Sequence, residues 1–171
     1  VAFLRCCRQA NAWRVRAAAL ALAPVLAGSG LAACGGAYVS GPSVTTTASF
    51  TNGTVDERYV SGYGHVLVTS AGYSLYLLTS DPPGSSSCVG PCTVAWPPLL
   101  AKGRLKAGPG VNPQLLSSFV RPGGTRQVLY DDHALYTYEG DTAPGMLAGE
   151  GIETYGGTWW AVSPKGDAVK S

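Results

Sequence analysis

Residues 74–81 read SLYLLTSD and residues 134–141 read ALYTYEGD. Both carry a Leu-Tyr step, an apolar or aromatic residue two places after the tyrosine, and an aspartate three residues beyond that. Tyr76, Leu78 and Asp81 thus answer to Tyr136, Tyr138 and Asp141 at a constant spacing of sixty. On an extended strand, residues two apart share a face. Tyr136 and Tyr138 therefore project to one side, with Leu135 and Thr137 on the other; Tyr76 and Leu78 share a face opposite Leu75 and Leu77. A strand that is apolar on both faces belongs inside a sheet rather than at its surface.

The flanking sequence has the same character. No stretch after residue 60 sustains the 3.6-residue apolar period of a helix, whereas short β-branched and aromatic runs alternate and stop at turn residues. Strands are expected at HVLVTS (65–70), YSLYLLT (73–79), RQVLYD (126–131), ALYTYE (134–139) and TWWAVS (158–163), with a short helical turn near NPQLLSSF (112–119). The first two runs meet at Ala71-Gly72 and the next two at Asp131-Asp132-His133, so each pair reads as a hairpin. Each hairpin continues into a proline-glycine turn, DPPG or DTAPG, and then toward tryptophan: Trp96 in the first copy, Trp159 and Trp160 in the second. These large rings are the expected aromatic core. The pattern predicts an all-β fold: two degenerate β-hairpin or meander repeats forming one antiparallel β domain over residues 61–171.

The amino-terminal part has a different composition. Residues 1–16 hold four arginines and no acid, and residues 17–33 hold no charge, the order of an export signal. Pro24, Gly28 and Gly30 interrupt the apolar run, which is shorter than the ~20 residues of a spanning helix. It ends in LAAC, which resembles the lipobox of bacterial lipoproteins and implies acylation of Cys34. That lipid would anchor the protein to a cell membrane or outer membrane. Residues 34–60, rich in Ser, Thr and Gly, read as a flexible tether. Four of the twelve basic residues fall in the signal, leaving eight against ten acids; the basic balance belongs to the leader and gives no support to nucleic-acid binding.

Further segments carry a family resemblance. YTYEGD (136–141) fits the motif Yx(FWY)xxD, and YLLTSD (76–81) matches it except that Leu78 replaces the aromatic. SCVGPCTVAWPPLLA (87–101), GGTRQVLYDDHALYTYEGDTAPG and GTWWAVSPKG extend the match. The chain resembles the bacterial lipoproteins described as secreted repeats of unknown function. The resemblance implies an envelope protein and brings no assigned activity.

Three chemistries compete for the remaining polar residues. Asp81 and Asp141 stand where strand gives way to turn, and the simplest reading makes them clamps that accept backbone N–H groups one or two residues on. The sharper alternative gathers both carboxylates in one cleft as an acid–base pair of a hydrolase or as a cation site. Cys88 and Cys92, close together in an exported chain, read as a disulfide. Their alternative is a copper or redox site with His65 or His133, Met146 being the other soft candidate. No GxSxG, HExxH, CxxCH or phosphate-cradling loop occurs. The expected function is that of a membrane-anchored, non-catalytic binding or structural module without a cofactor, its partner an envelope protein or a small ligand.

Overall fold

The computed structural model describes residues 50–51 and 53–170. The expected signal, Cys34 and most of the tether lie outside the described residues. In chain order the strands are β1 (Phe50–Thr51), β2 (Thr54–Val60), β3 (Gly64–Thr69), β4 (Tyr76–Leu78), β5 (Leu100–Ala101), β6 (Lys106–Ala107), β7 (Leu116–Val120), β8 (Arg126–Tyr130), β9 (His133–Ala134), β10 (Glu153–Thr154) and β11 (Gly157–Ala161). One four-residue helix, α1 (Cys92–Ala95), interrupts them. The fold is all-β and mainly antiparallel; only the two-residue pairings β1/β5 and β2/β6 are parallel.

The two repeats pair at their tyrosines. Tyr76 and Tyr136 exchange backbone N–H···O bonds of 2.9 and 3.0 Å as an antiparallel bridge. From this bridge the same bonds recur in both halves. In the first, the Leu75 N–H donates to Leu67 O at 3.0 Å; in the second, the Leu135 N–H donates to Val128 O at 3.0 Å. Each hairpin is then closed by the strand that follows the tryptophan of the other repeat. Val162 donates to Leu75 O and accepts from Leu67, while Leu99 donates to Leu135 O and accepts from Val128. Trp96 and Leu99 therefore correspond to Trp159 and Val162, and the repeats exchange their last strands.

Two apolar layers result, one on each face of the tyrosine strands. Tyr76, Leu78 and Tyr136 cluster with Trp96 and Trp159, whereas Leu75, Leu77 and Leu135 cluster with Leu67, Leu99, Val128 and Val162. This is the partition set by the two-residue period. Fully burying one such side chain stabilises the fold by about 1.5–3 kcal/mol. Trp159 is fully buried; Trp160, beside it in sequence, faces the second layer half-buried, with Lys170 Nζ 5.8 Å from its ring centre.

Three local expectations need correction. Thr54–Val60, assigned to the tether, is a strand that pairs with β3 from Val55 to Val60. Its sequence shows no apolar alternation because Val55 is its one buried side chain and three charged residues follow; backbone pairing and Val55 hold it. The turn near 112–119 is helical only over Pro113–Leu115, capped by the Asn112 side chain accepting from the Gln114 N–H, and continues as β7. ALYTYE is regular strand only at its start: β9 ends at Ala134, after which Tyr136 bridges both Tyr76 and Pro98. The Asp131-Asp132 turn has left-handed φ values of 49° and 61°, a backbone that Asp tolerates in tight hairpins.

Candidate functional site

The repeat motif builds its polar contacts across the pseudo-twofold. The Tyr76 hydroxyl donates to Asp141 Oδ2 at 2.7 Å, and the Tyr136 hydroxyl donates to Asp81 Oδ2 at 2.5 Å. In both copies the other carboxylate oxygen takes a loop amide: Ala148 N–H to Asp141 Oδ1 at 2.8 Å, Ser87 N–H to Asp81 Oδ1 at 2.7 Å. Those amides lie seven and six residues downstream, not one or two, so each aspartate closes a wide loop. The two carboxylates share no hydrogen-bonded partner among the described residues; each is tied to the tyrosine of the other repeat.

Burial shapes the protonation of these groups. It pushes the Tyr76 and Tyr136 phenols well above their ordinary range, and the carboxylate that each faces adds to the shift. Asp141 is 5 % exposed; desolvation raises its pKa, opposed by the bonds from Tyr76 and Ala148. Glu150 is raised for the same reason, opposed by the Ala161 N–H on Oε2, and its Oε1 has no partner.

The rings of the same tyrosines grip a tryptophan pair. Trp96 and Trp159 stack at 3.9 Å with planes 2° apart. Tyr76 meets Trp96 edge-on at 5.4 Å and Tyr136 meets Trp159 edge-on at 5.1 Å, the arrangement favoured by aromatic quadrupoles. Tyr138 adds a third layer on Trp96 at 4.3 Å, whereas its counterpart Leu78 is buried against the same cluster. Gly149 permits the approach: a Cβ there would stand 2.8 Å from Trp96 and 3.0 Å from Tyr76.

A second polar cluster surrounds the disulfide. Cys88 and Cys92 are bonded, with Cα atoms 5.4 Å apart, which removes both thiolates from the metal alternative. Arg121, 9 % exposed, sits under the loop. Its Nη1 donates to Ser86 Oγ at 3.0 Å and to Gln127 Oε1, and its Nη2 donates to Cys88 O at 2.6 Å. The Ser86 hydroxyl in turn donates to the Tyr136 phenol oxygen at 2.6 Å, the phenolic hydrogen being given to Asp81, which joins this cluster to Asp81. Arg121 further lines a groove of about 380 Å³ with Val89, Gly90, Thr93, Pro97, Pro98 and Pro122. Sequence reading did not single out Arg121 or Gln127, because a basic residue between Val120 and Pro122 looks like an ordinary solvated charge.

The histidines stand apart from the disulfide cluster's bonds. His65 Nδ1 pairs with Glu57 Oε1 at 2.7 Å on the outer hairpin, and His133 begins β9. Met146 gives its backbone carbonyl to the Ser74 hydroxyl and its sulfur to Thr142. No group of three His, Cys, Asp or Glu gathers at metal-binding range among the described residues.

A family model described as a secreted repeat of unknown function matches residues 59–100 and 117–163, one match on each repeat. No curated protein and no solved structure matches the chain.

Proposed function

Given that the chain belongs to the family of secreted repeats of unknown function and is an exported protein, we propose that it is a lipoprotein held on the cell envelope by acylated Cys34 and acting as a non-catalytic binding or structural module. One observation carries the non-catalytic part: both motif aspartates are consumed in crossed bonds to the tyrosine of the other repeat and to a loop amide. In this reading the carboxylates are fasteners: Asp81 ties down the loop that carries the disulfide, and Asp141 the loop that reaches Ala148. The LAAC stretch ending at Cys34 supports the anchor.

Fractionation of a bacterial host with labelled palmitate tests the anchor. The wild-type chain is expected in membranes with label, and Cys34→Ser unlabelled in the soluble or extracellular fraction. A soluble wild type, or a membrane-bound unlabelled variant, overturns it. Asp81→Ala and Asp141→Ala test the clamp: both should lower melting temperature. A variant that keeps its melting temperature yet loses a binding or turnover activity refutes a purely structural role.

A further inference from the structure

The pseudo-twofold supplies an internal control for Arg121. Hairpin β2/β3 corresponds to hairpin β7/β8 at a spacing of 61: Val55 faces Thr69 as Leu116 faces Tyr130. On this register Arg121, whose N–H donates to Thr125 O, corresponds to Val60, which faces Gly64; Gln127 likewise corresponds to Val66. In the first repeat this pair is apolar and packs into the core. The same fold is thus closed once by two valines and once by a buried guanidinium and amide. Burying a cation carries a desolvation penalty that neutral acceptors only partly offset, so the backbone alone gives no reason for Arg121.

The charge of Arg121 is also incompletely matched. Its three acceptors are neutral oxygens, and no carboxylate lies within ion-pair range of it among the described residues; Asp81 is reached only through Ser86 and Tyr136. Two of its five N–H donors, Nε–H among them, have no acceptor among the described residues. A guanidinium with donors to spare can hold a carboxylate by charge-assisted hydrogen bonds. Arg121 Nε is not among the fully buried side-chain atoms without a partner, of which Glu150 Oε1 is the one found among the described residues, and Arg121 is itself one of the residues that line the groove. The groove wall beside it is apolar: Val89, which is 61 % exposed, with Pro97, Pro98 and Pro122.

We propose that this groove binds a small organic carboxylate, its charged end on the Arg121 guanidinium and its apolar body against the three prolines and Val89. The volume suits a single compact molecule, and the disulfide presets the loop that supplies Cys88 O and Gly90. The inference rests on the reading of the chain as a binding module but not on the lipid anchor.

The test is a titration of the isotope-labelled full chain with benzoate, followed by amide and Arg121 Nε resonances, alongside the neutral isostere benzamide. Benzoate should give saturable shifts centred on Gly90, Thr93 and Arg121, with benzamide at least tenfold weaker. The variant Arg121→Val/Gln127→Val, which copies the first repeat, should fold and lose benzoate binding at least tenfold, while Arg121→Lys should bind more weakly than wild type by losing the guanidinium. Equal binding of benzoate and benzamide, no binding of benzoate, or full binding by the double valine variant overturns the proposal. A failed titration with normal Cys34-dependent membrane retention removes the carboxylate site and leaves the lipoprotein reading standing; the reverse outcome removes the anchor alone.

Discussion

The Tyr76 hydroxyl donates to Asp141 at 2.7 Å although sixty-five residues separate them, and the Tyr136 hydroxyl returns the same bond to Asp81. Each repeat therefore contributes a phenol to the other's bend. With the exchange of closing strands, this makes neither repeat complete alone: a single copy would lack the closing strand of its hairpin and the donor for its carboxylate.

The crossed pairs should differ in strength. Asp141 is buried and Asp81 is half-exposed, so water can replace a donor at Asp81 but not at Asp141. Tyr76→Phe is expected to cost about 1–3 kcal/mol, and Tyr136→Phe less. Urea denaturation of both variants, with Asp141→Asn closing a double-mutant cycle on Tyr76, measures the coupling; a Tyr76–Asp141 coupling of zero contradicts the crossed clamp.

Stability should fall as pH rises out of the acid range. Asp141 and Glu150 have folded pKa values raised by burial, so the unfolded chain releases these protons first. Their stabilisation is complete below the ordinary carboxylate pKa of about 4 and is lost as pH climbs through the folded values. Asp141→Asn should flatten this slope in denaturation series across pH; an unchanged slope assigns it elsewhere.

At alkaline pH the tyrosines act in the same direction. Tyr76 and Tyr136 remain neutral in the fold beyond the ordinary phenol value of about 10. Their contribution is present below that value and disappears above it, so their ionisation should appear together with unfolding. Tyrosinate absorbance recorded beside far-ultraviolet circular dichroism checks this. Smooth titration of every tyrosine in a still-folded chain would contradict their burial.

The stacked tryptophans should give a coupled near-ultraviolet dichroism signal, since their planes lie 2° apart at 3.9 Å. Trp96→Phe and Trp159→Phe should each abolish it, whereas Trp160→Phe should leave it. Gly149→Ala, which drives a methyl group into Trp96, should weaken the signal and cost about 1–3 kcal/mol through overpacking.

Removing the Cys88–Cys92 disulfide by Cys88→Ala/Cys92→Ala should cost about 2 kcal/mol on the loop-entropy estimate and lower the melting temperature by roughly 10 °C. The Arg121 bond to Cys88 O should loosen with it, visible as faster exchange of the Arg121 side-chain protons.

Elements whose signal is local were legible along the chain. A two-residue alternation placed Tyr76, Leu78, Tyr136 and Tyr138 on one face and Leu75, Leu77 and Leu135 on the other, and turn residues located both hairpins. The duplicated frame gave the repeats, and two close cysteines gave the disulfide. Tertiary structure alone decided what depends on partners distant in the chain. β2 was hidden because its strand character lies in pairing with β3 rather than in apolar alternation. Which phenol meets which aspartate, which tryptophan corresponds to Trp96, and why Arg121 lies beneath the disulfide all follow from the strand exchange about the Tyr76–Tyr136 bridge. Side-chain periodicity tells a strand which of its faces is apolar; only the folded chain tells it which strand it will meet.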